Sequence, residues 1–454
     1  MRLRSRKNPV DEPTIGDGGI SEYNTLMEQY AEYVKELGRN AQRAARQLAT
    51  VSGEAKVAAL RRMAAAIRDA RQALLDANAA DVAAAEQAGL ARPLIERLKL
   101  NDKRIAGMAD GVEQIAAQVD PVGQIIEGYV RPNGLKIQKM RVPIGVVLFF
   151  YESRPNVTSD AAALCLKSGN AVILRGGKES LHSNRAIGQI IAASLAGGGL
   201  GDHGIDGAAV QMIESADRAI VPPLLKLNQY IDLVIPRGGE SLIRAVTEQT
   251  TIPVLKHFTG NCHVYVDADI NTMEEQVRAV CINAKTSYPG GAVCNAAEKI
   301  IFHKDAAERL LAKVCGDLAA QGVEIRGDER ARKLYPKAIA TTEADWPLEY
   351  LAMIIGIKVV DTIDEAIAHI NEYGSHHTDA ILSDSSVAIE RFVKGVDSAS
   401  IMVNASTRLA DGGEYGLGAE IGISTDKLHA RGPMGAADLT TYKWVATGNG
   451  HLRG

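Results

Sequence analysis

Five cysteines, Cys165, Cys262, Cys281, Cys294 and Cys315, are spread through the chain, and one stands where a nucleophile would be expected. Cys294 lies in "TSYPGGAVCNAAEKIIFH" (Thr286 to His303), after Pro289-Gly290-Gly291 and before a run of small residues. A loop approach keeps a thiol accessible. A short helical turn at Asn295-Ala296-Ala297 would put backbone N–H groups behind the sulfur and favour the thiolate. Cys165 in "AAALCLKSG", Cys281 in "VRAVCINAK" and Cys315 in "LLAKVCGDL" fall inside helical apolar patterns, where a free cysteine acts as a small hydrophobe. Cys262, beside His263 at the start of an apolar run, fits either role. His376 and His377 are neighbours near a helix end, where adjacent side chains diverge. With no partner cluster visible in the sequence, no metal site is expected.

Anion-binding chemistry is suggested twice. "ILRGGKES" (Ile173 to Ser180) and "VIPRGGESL" (Val234 to Leu242) each end an apolar strand in Arg-Gly-Gly and open a helix within a few residues. Gly176-Gly177 and Gly238-Gly239 let backbone approach a ligand, and Arg175 and Lys178 supply positive charge. Either turn alone reads equally well as a tight strand-to-helix connection with a surface arginine, but two of them favour a ligand crevice. "GLGDHG" (Gly199 to Gly204) satisfies G-x-G-x-x-G, yet it follows a helix and precedes a strand, the reverse of the dinucleotide fingerprint. It reads as a helix C-cap and loop, and no P-loop motif occurs.

The elements that must hold these residues can be read from periodicity. From about Asn24 to Gln118, Ala, Leu, Arg and Glu recur at helical spacing. From Val142 onward, "VPIGVVLFFY", "NAVILRGG", "AAVQMI" and "IDLVIPRGG" are short β-branched runs, each followed by a helical stretch. Strands alternating with helices imply right-handed βαβ units and a doubly wound parallel sheet, which binds nucleotides beyond the carboxyl ends of its strands. A second α/β unit opens at "NCHVYVDADI" and runs through Cys294 to "SASIMVN". Asn133-Gly134 in "RPNGLKIQKM" and Asn449-Gly450 in "YKWVATGNGHLRG" predict two hairpins outside the main sheets, natural sites for pairing between subunits.

Composition excludes several classes. At 454 residues, with 46% hydrophobic and 23% charged, the chain is long enough for two or three domains with their own cores. A net charge of −4 with dispersed basic residues argues against nucleic acid as partner. No apolar run is long enough to span a membrane, and the basic start lacks the apolar segment of a secretory signal. The odd number of unpatterned cysteines fits a reducing cytoplasm.

The segment "VPIGVVLFFYESRPNVTSDAAALCLKSGNAVILRGGKES" closely resembles the nucleotide-binding part of the gamma-glutamyl phosphate reductases, also called glutamate-5-semialdehyde dehydrogenases, of the aldehyde dehydrogenase superfamily. The resemblance continues through "KHFTGNCHVYVD", "NAKTSYPGGAVCNAAE", "VDTIDEAIAHINEYGSHHTDAI" (Val360 to Ile381) and "EYGLGAEIGISTDKLHARGPMG". It departs in one place: where the family reads "KTQRPGVCN", Lys285-Thr286 here leads through "SYPGGAV" to Cys294-Asn295. That path is longer by two residues, with Ser287 and Tyr288 in place of a polar-basic pair.

The resemblance implies an aldehyde-dehydrogenase-like α/β fold. Its parts are a leader (1–25), a Rossmann-type NADP-binding domain with N-terminal helices (26–258, joined by about 425–440 and including a hairpin at 128–142), a catalytic domain (259–424) and a C-terminal oligomerisation hairpin (441–454). It implies NADPH-dependent reduction of L-glutamate 5-phosphate to L-glutamate 5-semialdehyde and phosphate, in proline synthesis, through a thioester on Cys294. Asn156 would hold the oxyanion or else cap its helix. Arg175, Gly176, Gly177, Lys178, Gly238, Gly239 and Glu349 would bind the cofactor. Arg154 and Arg431 would bind substrate or else form ordinary salt bridges. A homo-oligomer is implied, and the upstream glutamate 5-kinase is a possible partner for handing over the labile acyl phosphate. The alternative is an NAD(P)-dependent semialdehyde dehydrogenase that releases a free acid. Such enzymes carry a glutamate in an "ELGGK"-like segment to activate water, and the matching "LKHFTGNCH" (Leu255 to His263) has no carboxylate. A non-catalytic scaffold is a third reading, disfavoured by retention of the cysteine.

Overall fold

The computed structural model describes residues 17–152, 154–196 and 204–453. Five helices come first: α1 (Asp17–Leu48), α2 (Gly53–Asp69), α3 (Arg71–Gln87), α4 (Arg92–Leu98) and α5 (Asp102–Ala117). Helix α1 begins inside the stretch expected to be a leader, so the 1–25 boundary is corrected to before Asp17. The side chains of Ser52 and Asn101 accept N–H groups at the starts of α2 and α5, which is why those helices begin there. The "GLGDHG" turn falls almost wholly outside the described residues.

Two strands, β1 (Ile125–Val130) and β2 (Lys136–Pro143), form the hairpin expected at Asn133-Gly134, with Gly134 at φ +89. Then β3 (Val146–Tyr151), α6 (Asn156–Lys167), β4 (Ala171–Arg175), α7 (Leu181–Ala196), β5 (Val210–Met212), α8 (Val221–Leu224), β6 (Leu233–Arg237) and α9 (Glu240–Gln249) wind a four-stranded parallel sheet in the order β5-β4-β3-β6. Its strands are apolar on both faces because helices cover both. Phe150 pairs with Arg175 and Tyr151 with Arg237, so the two Arg-Gly-Gly turns flank the end of β3 at one level.

The second unit comprises β7 (Cys262–Val266), α10 (Glu274–Thr286), β8 (Ala297–His303) and a helix that runs from α11 (Lys304–Ala306) through a π turn (Ala307–Leu311) into α12 (Ala312–Ala320). It continues with β9 (Glu324–Gly327), α13 (Glu329–Leu334), β10 (Ile339–Ala340), β11 (Ile354–Val360), α14 (Ile363–Tyr373), β12 (Thr378–Leu382), α15 (Ser386–Gly395) and β13 (Ser400–Val403). Its sheet is parallel, in the order β10-β9-β11-β8-β7-β12-β13. Ala410 still belongs to the core of this unit, whereas Ile421, Ala430, Met434 and Leu439 are buried in the core of the first. The chain therefore crosses back between 410 and 421, close to the expected return. There it makes a small ladder, β14 (Ile423–Ser424) with β15 (Gly432–Pro433).

The C-terminal segment corrects an expectation. It is not a hairpin but one strand, β16 (Thr440–Thr447), which pairs along the whole of β2 to complete the antiparallel sheet β1-β2-β16. Asn449-Gly450 terminates this strand instead of reversing it, and the ring N–H of His451 donates to the Asn133 carbonyl at 2.7 Å. No helix among the described residues is long and apolar enough to cross a membrane.

Candidate active site

Cys294 is reached from α10 through Ser287, Tyr288 and a 3-10 turn at Pro289–Gly291. Gly290 and Gly291 are both left-handed (φ +73 and +64), and a Cβ on Gly291 would lie 3.0 Å from the Ala352 carbonyl, so the added length is accommodated by glycine. The helical turn expected behind the thiol is absent. A β-turn, with the Ala296 N–H donating to the Val293 carbonyl at 3.0 Å, leads straight into β8. Gly260, just before β7, packs so tightly here that a Cβ would collide with the Cys294 backbone. The Cys262 thiol donates to the Cys294 carbonyl at 3.1 Å, which makes Cys262 a brace.

Of the five thiols only Cys294 is partly exposed; the other four are buried. Burial, and then the Glu349 carboxylate, push its thiol up to about 11, while Arg237 and Arg408 pull the other way. The expected lowering of this thiol is thus reversed, because no helix N-terminus faces the sulfur. Glu349 is raised by burial to about 7 and accepts the Gly260 N–H. Beneath the loop run two charged residues of β8: Glu298, 3.2 Å from the Lys285 ammonium with both side chains fully buried, and Lys299, which donates to Asn261 at 2.7 Å and to the Leu348 carbonyl. Burial lowers both lysines and raises Glu298.

Two imidazoles meet the thiol. His257, His377 and Cys294 bring one ligand atom each within 4.8 Å of one another, and the two rings lie edge to face, 5.2 Å apart. His257 comes from "LKHFTGNCH", the stretch that lacks the water-activating carboxylate. Its Nδ1–H donates to the Ile423 carbonyl at 2.8 Å, which leaves Nε2 as a lone-pair acceptor. Adjacent His376 turns away and donates to the Asp397 carbonyl at 2.6 Å. The two histidines diverge as expected, but the partner cluster that the sequence did not reveal exists in three dimensions. Its members lie far apart in the chain, and only folding brings them together.

A cavity of about 390 Å³ is lined by Arg97, Lys99, Arg104, Arg154, Asn156 and Tyr288, among others. Tyr288 ties it to the Cys294 loop, and the Arg408 guanidinium stacks 5.5 Å from the Tyr288 ring centre. Of the substrate residues expected from sequence, Arg154 lines this cavity. Arg431 does not; it donates to Asp397 at 2.9 Å, the ordinary salt bridge left open above. Asn156 is the first residue of α6, makes no cap, and donates its amide to Asp160 at 3.0 Å, so its amide is already engaged.

At the other crevice, Arg175 ends β4 with its Nε buried and unpartnered, and Lys178 is exposed in the following turn. A Cβ on Gly176 would collide with the Asn184 amide, and one on Gly238 with the Glu152 carboxylate. The Gly239 N–H at the start of α9 already holds Glu152 at 3.0 Å. Arg237, the cation of the second turn, points toward Glu420 and the thiol. Sequence reasoning missed Arg97, Lys99, Arg104, His257 and Arg408, and it gave Arg237 no role beyond its Arg-Gly-Gly turn; only the cation count of "ARPLIERLKLNDKR" hinted at the cavity.

The aldehyde dehydrogenase family profile matches residues 18–331. A gamma-glutamyl phosphate reductase of Caldanaerobacter subterraneus subsp. tengcongensis is 49% identical over 91% of this chain and 98% of its own. Among solved structures, the gamma-glutamyl phosphate reductase of Thermotoga maritima superposes with a TM-score of 0.89 at 43% identity, covering 93% of this chain and 100% of its own. That of Saccharomyces cerevisiae is 31% identical over 93% of this chain and 98% of its own, with a TM-score of 0.51.

Proposed function

The chain belongs to the aldehyde dehydrogenase family and, within it, to the gamma-glutamyl phosphate reductases, and from that premise we infer that it reduces L-glutamate 5-phosphate to L-glutamate 5-semialdehyde and phosphate in proline synthesis. The observation that carries this reading is Cys294, the partly exposed thiol, beside His257 and on the loop whose Tyr288 borders a largely cationic cavity. A substrate bearing a carboxylate and a phosphate needs such cations.

The nicotinamide cofactor of the family would lie at the crevice formed by the turns of Gly176, Gly177, Gly238 and Gly239, where the unpartnered Arg175 Nε and exposed Lys178 suit the 2′-phosphate of NADP(H). Glu349 would meet the nicotinamide ribose. Bound there, the cofactor supplies the hydride.

The chain's own work concerns the acyl group. His257 Nε2 takes the Cys294 proton, and the thiolate attacks the acyl phosphate carbon; the C–O bond breaks and phosphate leaves. Arg237 and Arg408 stabilise the anionic sulfur. After reduction the C–S bond breaks, the aldehyde departs and His257 returns the proton to sulfur. Arg97, Lys99, Arg104 and Arg154 hold the substrate's anionic groups. The exposed apolar residues of the β1-β2-β16 sheet suit a homo-oligomer, the setting is cytoplasmic, and direct transfer from a glutamate 5-kinase remains compatible with the open cavity. In the reverse direction, the purified protein should reduce NADP⁺ with glutamate semialdehyde only when phosphate is present. Turnover without phosphate would instead support the acid-forming alternative.

A further inference from the structure

Three side chains, His257, His377 and Cys294, form the only set of three metal-ligating groups found close together among the described residues. Their hydrogen bonding prepares them for more than proton transfer. His257 Nδ1 is committed to the Ile423 carbonyl, and His377 Nδ1 lies 2.9 Å from the Thr378 hydroxyl. The His257 ring thus presents Nε2 as a lone pair, with its tautomer fixed from behind by a carbonyl as in metal-binding histidines, while the Thr378 hydroxyl can pair with either tautomer of His377. His377 is fully buried, yet its Nε2 has no partner, an orphan that an apolar site would not tolerate without cost. A thiolate with two neutral imidazoles is a donor set for Zn²⁺ and is too soft for Mg²⁺ or Ca²⁺. Tetrahedral zinc bonds of about 2.0–2.3 Å hold donors roughly 3.5 Å apart, so the three donors, now within 4.8 Å of one another, draw together around the ion, with a fourth position left for water.

We propose that His257, His377 and Cys294 form a Zn²⁺ site that caps the nucleophile and reversibly switches the enzyme off. Binding replaces the Cys294 S–H bond by a Zn–S bond and releases one proton to solvent. The capped sulfur can neither attack an acyl phosphate nor be alkylated. The full-length protein, stripped with a chelator, is titrated with Co²⁺ as a visible probe and then with Zn²⁺. The expected result is one Co²⁺ per chain with a thiolate-to-cobalt charge-transfer band, displaced by Zn²⁺. Zinc protects Cys294 from iodoacetamide and inhibits in proportion to occupancy, and a chelator reverses both effects. Cys294→Ser removes the band, and His257→Asn or His377→Gln weakens Zn²⁺ binding at least about 100-fold, with thermal melting of each variant reporting that it folds. Zinc affinity unchanged in folded His257→Asn, no charge-transfer band in the parent, or full turnover with zinc bound would each overturn the proposal. The band and the alkylation readout do not depend on the substrate, so they remain decisive even if the assigned reaction fails.

Discussion

Cys294 is set apart from the other four cysteines by access, and burial raises its thiol less than theirs. Its thiol sits near 11, so alkylation by iodoacetamide in a chelating buffer should accelerate about tenfold per pH unit until it approaches that value. A rate that levels off near neutrality would mean that the thiolate is already stabilised before substrate binds. Cys294→Ser should lower turnover by at least about three orders of magnitude while leaving NADP binding intact, as measured by fluorescence titration. Arg154, which lines the cavity with no side-chain partner among the described residues, should act on affinity: Arg154→Ala is expected to raise KM about 10- to 100-fold, the worth of a charged hydrogen bond, with a smaller change in kcat. At this scale the sequence singled out Cys294, whose loop setting is local and which is, in the structure, the one partly exposed thiol of the five. It was silent about His257, because a histidine in "LKHFTGNCH" acquires meaning only when the Ile423 carbonyl and the thiol arrive from elsewhere in the chain. For Arg431 it left substrate binding and a salt bridge open, and in the structure the side chain pairs with Asp397.

The elements were more legible than the contacts between them. Short continuous apolar runs and helical runs of period 3.6 locate β3, β4, β6, β7 and the helices between them, since burial on both faces writes itself into composition. The turn chemistry of Asn133-Gly134 was equally plain. Asn449-Gly450 failed as a hairpin signal because its strand had a better partner: β2 offers an open edge along its whole length, and pairing there satisfies more backbone than a short terminal hairpin could. The lengthened approach to Cys294 is an element in its own right, closed by two left-handed glycines and pressed against Gly260. Gly260→Ala should cost about 1–3 kcal/mol in urea unfolding and reduce kcat more than it raises KM, because the displaced backbone is that of the nucleophile. Retained kcat would show that the loop, not β7, sets the position of the sulfur.

Across the whole molecule, the antiparallel sheet β1-β2-β16 leaves large apolar side chains exposed: Tyr129, Tyr442 and Trp444 share one face, with the Lys139 ammonium over the last two rings, Val130 lies on the other, and Trp444 is 52% exposed. Trp444→Glu should shift the protein toward smaller species in sedimentation, with the fold of each chain preserved. The two parallel sheets use opposite edges: Arg175 and Arg237 end their strands, whereas Cys294 and Gly260 precede theirs. The nucleophile therefore follows the C-terminal end of α10, where a helix gathers partial negative charge, rather than an N-terminus that would acidify it. Peroxide attacks thiolates and spares thiols. A sulfur kept protonated until substrate and base are both at hand should therefore resist oxidative damage between turnovers, and the same topology that makes the thiol a reluctant nucleophile makes it a durable one.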